Sequence, residues 1–228
     1  MKNKLVIAFL MLVTLSTMVY AYSWGMANVW YFSASYQLDD WAKEGGIQSQ
    51  DDYQHTFDAI SKAVDYDPTH PHYLHMKGRI LLWGISEGFV DASQNTEVKA
   101  LYLASTAQRA SWPIPWIDLA YLNNAEHGLN QETWSYIDQA LQVGPYEHAV
   151  TQGLLELMLI NWGTIEPSRA PLFFEHFAVA AKQPKILQAV LVHAVAVGRK
   201  SLVCSQLKFD KEFKAQKESW LYKKHCRA

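Results

Sequence analysis

The chain has 228 residues, of which 50% are hydrophobic and 18% charged, a size and balance that fit one compact domain of roughly 100–200 residues plus an anchor. Its formal charge of -2 and pI near 6.5 exclude the clustered basic surface of a nucleic-acid binder. Nine Trp and twelve Tyr are many for this length, and such rings serve helix packing, membrane interfaces and carbohydrate stacking alike.

Lys2 and Lys4 precede Leu5–Trp24, an apolar run without a charged residue, and the next charged side chain is Asp39. About 20 apolar residues suffice to cross a bilayer as a helix, and the positive-inside rule keeps Lys2 and Lys4 in the cytoplasm. Tyr20, Tyr22, Trp24, Trp30 and Tyr31 then fall near the outer interface, where aromatic rings are enriched. Val19-Tyr20-Ala21 also offers small residues where a signal peptidase cuts, so a cleaved signal peptide is the other reading. Either way the globular part leaves the cytoplasm. Residues 1–29 read as the membrane anchor or signal segment, and residues 30–228 as the folded part.

Trp30–Glu44 reads as a helix stopped by Gly45-Gly46. Ser49, with acids in the turn that follows, is a capping-box-like start for a helix over Tyr53–Tyr66. Asp67-Pro68 ends it, and Pro71 starts the next helix, Pro71–Gly84, at a position where its missing N–H would have no partner. A polar, glycine-containing break runs from Ser86 to Thr96. Lys99–Ser111 is helical again and stops at Trp112-Pro113, because proline disfavours helix in the residue before it. Trp116–Glu126 and Gln131–Val143 form a pair, with Asn130 as N-cap and Gly144-Pro145 as stop. Glu147–Trp162 and Pro167–Lys182 continue the array, and Pro184–Val197 with Ser201–Lys224 read as capping helices. No window shows sustained strand alternation, so the fold class is all-α.

The spacing of these elements has a period. Ala63, Pro68 and Gly78 stand five and ten residues apart, the mark of a tetratricopeptide repeat with its unit of 34 residues. Ala63 to Ala107 is 44 residues and Ala107 to Ala140 is 33, and the surplus in the first interval matches the Ser86–Thr96 break as an insertion. Ala63, Gly78, Ala107, Ala120 and Ala140 supply the small positions at which antiparallel helices approach closely. The expected architecture is therefore a transmembrane helix followed by a tetratricopeptide-like helical array.

Chemistry-bearing motifs are few. Gly84-Ile-Ser86-Glu-Gly88 matches the nucleophile elbow in letters, yet that motif needs a strand before it, and here a helix precedes. His72 and His75 stand at i, i+3, but no neighbouring Cys or carboxylate motif completes a metal set. No phosphate-binding loop, dinucleotide fingerprint or His-Glu-x-x-His occurs, so no catalytic residue, metal or cofactor is expected. Cys204 and Cys226, the two cysteines, pair as a disulfide in an oxidising compartment, with free or intermolecular thiols as the other readings. If Gly78 is the eighth residue of a repeat, the inner face carries His72, His75, Arg79 and Trp83, then Asp118 and Glu126, then Gln152 and Glu156. That mixed polar groove suits a peptide segment or a glycan held by hydrogen bonds.

Trp30-Tyr-Phe-x-Ala34, Asp67-Pro-Thr-His-Pro-His-Tyr-Leu-His-Met-Lys-Gly-Arg79, Arg109-Ala-Ser-Trp-Pro113 and Gly144-Pro-Tyr-Glu147 together resemble the tetratricopeptide-like VpsP family of bacterial exopolysaccharide (biofilm matrix) biosynthesis proteins. The resemblance implies an envelope location and a non-catalytic scaffold or adaptor role in making or exporting polysaccharide, and it brings no catalytic residues. The partners it implies are proteins of a polysaccharide synthesis or export complex, beside the inner membrane and with polysaccharide contact possible. Peptide-clamp repeats hold a carboxylate with Lys and Asn where His75, Asp118 and Gln152 stand here. Two other readings stay open: a glycan-binding module that stacks sugars on Trp83, Trp112 and Trp116, and an envelope assembly factor for cytochromes or outer-membrane proteins.

Overall fold

The computed structural model describes residues 2–227. All regular structure among the described residues is helical. The chain divides into two compact units, the first ending at Arg109 and the second beginning at Ala110.

In the first unit α1 spans Lys2–Glu44 as one unbroken helix of 43 residues. No proline interrupts this stretch, and Gly25 alone costs a helix only about 1 kcal/mol, so the apolar run and the expected Trp30–Glu44 helix are a single element. The expected boundary between residues 29 and 30 falls inside it. From Asn3 onward α1 is long and apolar enough to cross a membrane, with its most apolar window fully exposed. Ala27, Ala34, Leu38 and Trp41 are buried on one face.

That face is covered by α2, Gln50–Tyr66, which starts with the Asp52 N–H donating to the Ser49 hydroxyl at 3.2 Å. The chain then runs back along α1, because the Ser23 hydroxyl donates to the Tyr66 carbonyl at 3.3 Å. Next come α3, Pro71–Ser86, and α4, Asn95–Gln108. The break between them, Glu87–Gln94, folds back onto the unit. Its Phe89 and Val90 N–H groups both donate to the Gly84 carbonyl, and Phe89 stacks on Tyr53 with ring centroids 6.1 Å apart. At Gly78 the α3 backbone comes so close to α4 that a Cβ there would lie 2.6 Å from the Tyr102 ring.

The register of the array differs from the expected one at a single position. Ala107 and Leu103 are exposed, and α4 buries Val98, Tyr102, Ser105 and Thr106 instead. Ser105 takes the small position, and its hydroxyl donates to the Pro71 carbonyl at 2.8 Å. Ala63, Ser105 and Ala140 each accept the N–H of the residue that ends their helix, and each is followed eight residues later by the start of the next helix, at Pro71, Pro113 and His148. The intervals are thus 42 and 35 residues, and removing the eight residues of the Glu87–Gln94 break brings the first to the 34 of a tetratricopeptide unit. The chain is a tetratricopeptide-like array of helices behind one long apolar helix.

The second unit holds α5, Pro113–His127, α6, Gln131–Val143, α7, His148–Ile160, α8, Ala170–Ala181, and α9, Pro184–Ala196. A polar knot closes the α5–α6 turn: the Asn130 side chain accepts from the Thr133 N–H, and the Thr133 hydroxyl takes the Asn123 amide and donates to the Gly128 carbonyl. Gly153 lets α7 lie against α5, where a Cβ would stand 2.6 Å from Ile117. Arg169, at the start of α8, forks onto the Asp138 carboxylate of α6 at 2.7 and 2.9 Å and lies over the Trp134 ring. The expected single helix Ser201–Lys224 is three: α10, Lys200–Phe209, α11, Lys214–Lys217, and α12, Trp220–Cys226. Asp210 and Ser219 break it, each capping the segment that follows with its side chain, the preference that makes such residues poor in helix interiors. Cys204 of α10 and Cys226 of α12 form a disulfide, their Cα atoms 5.5 Å apart.

Candidate interaction faces

In the first unit α3 is nearly surrounded, with Tyr73, Leu74, His75, Met76, Gly78, Ile80, Leu81 and Gly84 buried. Among its half-buried residues His72, Arg79 and Trp83 line up at i, i+7, i+11 as one stripe. His72 Nε2 lies 3.1 Å from the Arg109 guanidinium. Burial first, and then the neighbouring His70, Arg109 and His75, hold the His72 imidazole below its ordinary pKa. Arg79 lies close enough to Tyr31 of α1 to act on its phenol, although burial dominates and pushes that group up. Trp83 leans on Trp41 with centroids 6.1 Å apart.

His75 does not belong to this stripe. It is 4% exposed, and its ring packs on Tyr102 at 5.1 Å between α3 and α4. At 3.6 residues per turn His75 lies about 60° round the helix from His72 and about 40° from Arg79, at the edge of the stripe on the side that α4 covers. Among the described residues no three of His, Cys, Asp and Glu converge as a metal set. Ser86, the centre of the elbow-like motif, ends α3 and donates its hydroxyl to the Trp83 carbonyl at 2.8 Å.

In the second unit Asp118, Gln152 and Glu156 come together around Tyr121. The Tyr121 hydroxyl donates to Glu156, whose other carboxylate oxygen accepts the Gln152 amide at 2.9 Å. Burial, then the charges of Glu156 and Asp118, drives the Tyr121 phenol far above its ordinary range, so it stays a neutral donor. Glu126 stands apart at the last turn of α5, exposed and 3.6 Å from His127.

Sequence reading missed the other wall of this site. Glu156 of α7 shares an open groove of about 550 Å³ with Lys185, Gln188, Ala189, Val192, His193 and Ala196 of α9. The groove sets α9, expected as a capping helix, beside α7. Pro184 opens α9 in its first turn, as Pro71, Pro113 and Pro171 do in α3, α5 and α8, so the sequence marks where α9 starts but not what it faces. The groove carries both charge signs, the Gln188 amide, apolar Ala189 and Val192, and a His193 Nε2 that is buried with no hydrogen-bond partner among the described residues. Three tryptophans expected as sugar platforms are held in packing: Trp83 against Trp41, Trp112 half-buried as the cap of α5, and Trp116 near-parallel to Tyr136 with its N–H donating to the Ala110 carbonyl.

No protein-family model and no curated protein matches the chain. Among solved structures it is similar to the crystal structure of MamA protein, at 12% identity over 85% of this chain and 92% of that chain, with a TM-score of 0.49.

Proposed function

We propose that the protein is a non-catalytic scaffold, held in the bacterial inner membrane by α1, whose helical array gathers proteins of an exopolysaccharide synthesis or export complex on its periplasmic side. The observation that carries the scaffold reading is the groove between α7 and α9, where Glu156, Lys185, Gln188 and His193 offer hydrogen bonds beside apolar Ala189 and Val192, the mixture that holds an extended or helical peptide segment. The anchor reading is supported by the uncharged stretch, which runs on past Ala21 as far as Leu38. The polysaccharide pathway rests on the resemblance of residues 30–147 to the exopolysaccharide family.

The test is affinity capture of the tagged chain from mild-detergent membranes, beside a Gln188→Arg, Val192→Glu double variant that fills and charges the groove. Recovery of glycosyltransferases, a chain-length regulator or an export porin by the unaltered chain, and their loss from the variant, is the expected result. Equal recovery by both would remove the groove from the account. Respiratory or outer-membrane assembly proteins in their place would overturn the pathway.

A further inference from the structure

We propose that α1 pairs in parallel with the α1 of a second copy of this chain, along a seam of Met11, Thr14, Met18, Tyr22, Gly25, Val29, Phe32 and Tyr36. The inference rests on the reading of α1 as a membrane anchor. The seam residues follow one another in steps of three and four. On a straight helix of 3.6 residues per turn they stay within about 40° of one line. The residues α1 buries against its own unit, Ala27, Ala34, Leu38 and Trp41, lie on the opposite face.

The part of the seam beyond the apolar window carries the argument. Val29, Phe32 and Tyr36 are 59%, 49% and 67% exposed, and the Phe32 and Tyr36 rings stack along the helix. Large apolar side chains aligned in this way mark a contact surface more often than a solvated one. Tyr36 lies 14 residues past Tyr22, about 21 Å along the helix, whereas the headgroup layer adds only about 5–8 Å to each side of the hydrocarbon. The bilayer therefore does not reach Phe32 or Tyr36. What covers the whole seam is a helix that leaves the same membrane beside α1 and continues straight for four more turns.

A second copy provides that helix. With Lys4 held on the same side in both copies, the two helices are parallel and the seam meets itself in register, as a two-fold interface requires. No charged residue occurs between Lys4 and Asp39, so no like charges oppose each other along it. Nothing lies within 4 Å of the position of a Gly25 Cβ, and together with Thr14 this glycine offers the small contact points at which membrane helices approach. The seam ends in Asp40 and Lys43, paired at 2.8 Å, where the apolar surface stops.

The test uses the full-length chain in its membranes, with single cysteines added as Val29→Cys, Phe32→Cys and Tyr36→Cys, and as Trp24→Cys and Ala42→Cys on exposed positions about 120° away. A thiol-to-thiol bismaleimide leaves the Cys204–Cys226 bond out of the reaction. The expected result is a crosslinked dimer at 29, 32 and 36 and none at 24 and 42, and loss of the Tyr36→Cys dimer when Phe32→Glu is added. Equal dimer at all five positions, or an adduct with a protein of another mass, would overturn the pairing. Carbonate washing of the same membranes reads the anchor separately. A chain that stays in the pellet without seam-specific dimer refutes the pairing alone, and a chain released by carbonate refutes the anchor and the pairing with it.

Discussion

Replacing Gly78 tests the packing on which the array depends. A Cβ at this position would stand 2.6 and 2.8 Å from two carbons of the Tyr102 ring, against about 3.5–4.0 Å for ordinary carbon contacts. The ring, or the helix that carries it, must move by about 1 Å. Tyr102 is 1% exposed and already packed on His75, so it has little room. For Gly78→Ala the better helix propensity of alanine returns about 1 kcal/mol against an overpacking cost of about 1–3 kcal/mol, a net loss of about 0–2 kcal/mol. Gly78→Leu gains nearly the same propensity, but its larger side chain outweighs it and should cost about 3 kcal/mol net. Adding Tyr102→Ala makes room, so the double variant should recover about 1–2 kcal/mol of the summed single losses, within the range of coupling between touching residues. Urea unfolding followed by far-ultraviolet circular dichroism in detergent gives all four values. A Gly78→Leu stability within about 0.5 kcal/mol of the parent, the scatter of surface substitutions, would refute the close approach of α3 to α4.

Three further outcomes follow from contacts in the two units. Arg169→Lys keeps the charge but loses the two-pronged bond to Asp138 and the stack on Trp134; both partners are partly exposed, so the loss should be about 1 kcal/mol in thermal unfolding. Reducing the Cys204–Cys226 bond releases a loop spanning 22 residues and should cost about 3 kcal/mol, with α12 showing the first increase in amide exchange. His70, His72 and His176 are held below their ordinary pKa of 6.5, in each case chiefly by burial. The unfolded chain therefore takes up protons first as pH falls, so stability is full above about pH 6.5 and declines below it. A melting temperature that stays level or rises from about pH 7 to about pH 5 would contradict the burial of these imidazoles.

The helix pairs were legible in the sequence because their signals are local: Ser49 and Asn130 as caps, Pro71 at a helix start, Gly144 at a stop. Where reading and structure part, the deciding contact is distant or the local signal was divided. Ala107 and Ser105 sit two residues apart on α4, and the choice between them is made by the Pro71 carbonyl 34 residues away. His75 was assigned to the open face by its spacing from His72 and Arg79, and only the Tyr102 ring across the pair shows it to be buried. The change from apolar to mixed composition after Trp24 suggested two elements in α1, although no residue there breaks a helix. The α7–α9 groove is not legible in the sequence, because its lining is defined only by what α7 and α9 present to each other across 29 residues or more of chain.

The proposed scaffold needs α1 to stay uncleaved, so that one helix both crosses the membrane and opens the array. Intact-mass measurement of the protein recovered from carbonate-washed membranes tests this most directly. The account predicts a single species with the mass of the whole 228-residue chain. A soluble species beginning at Tyr22 would contradict it.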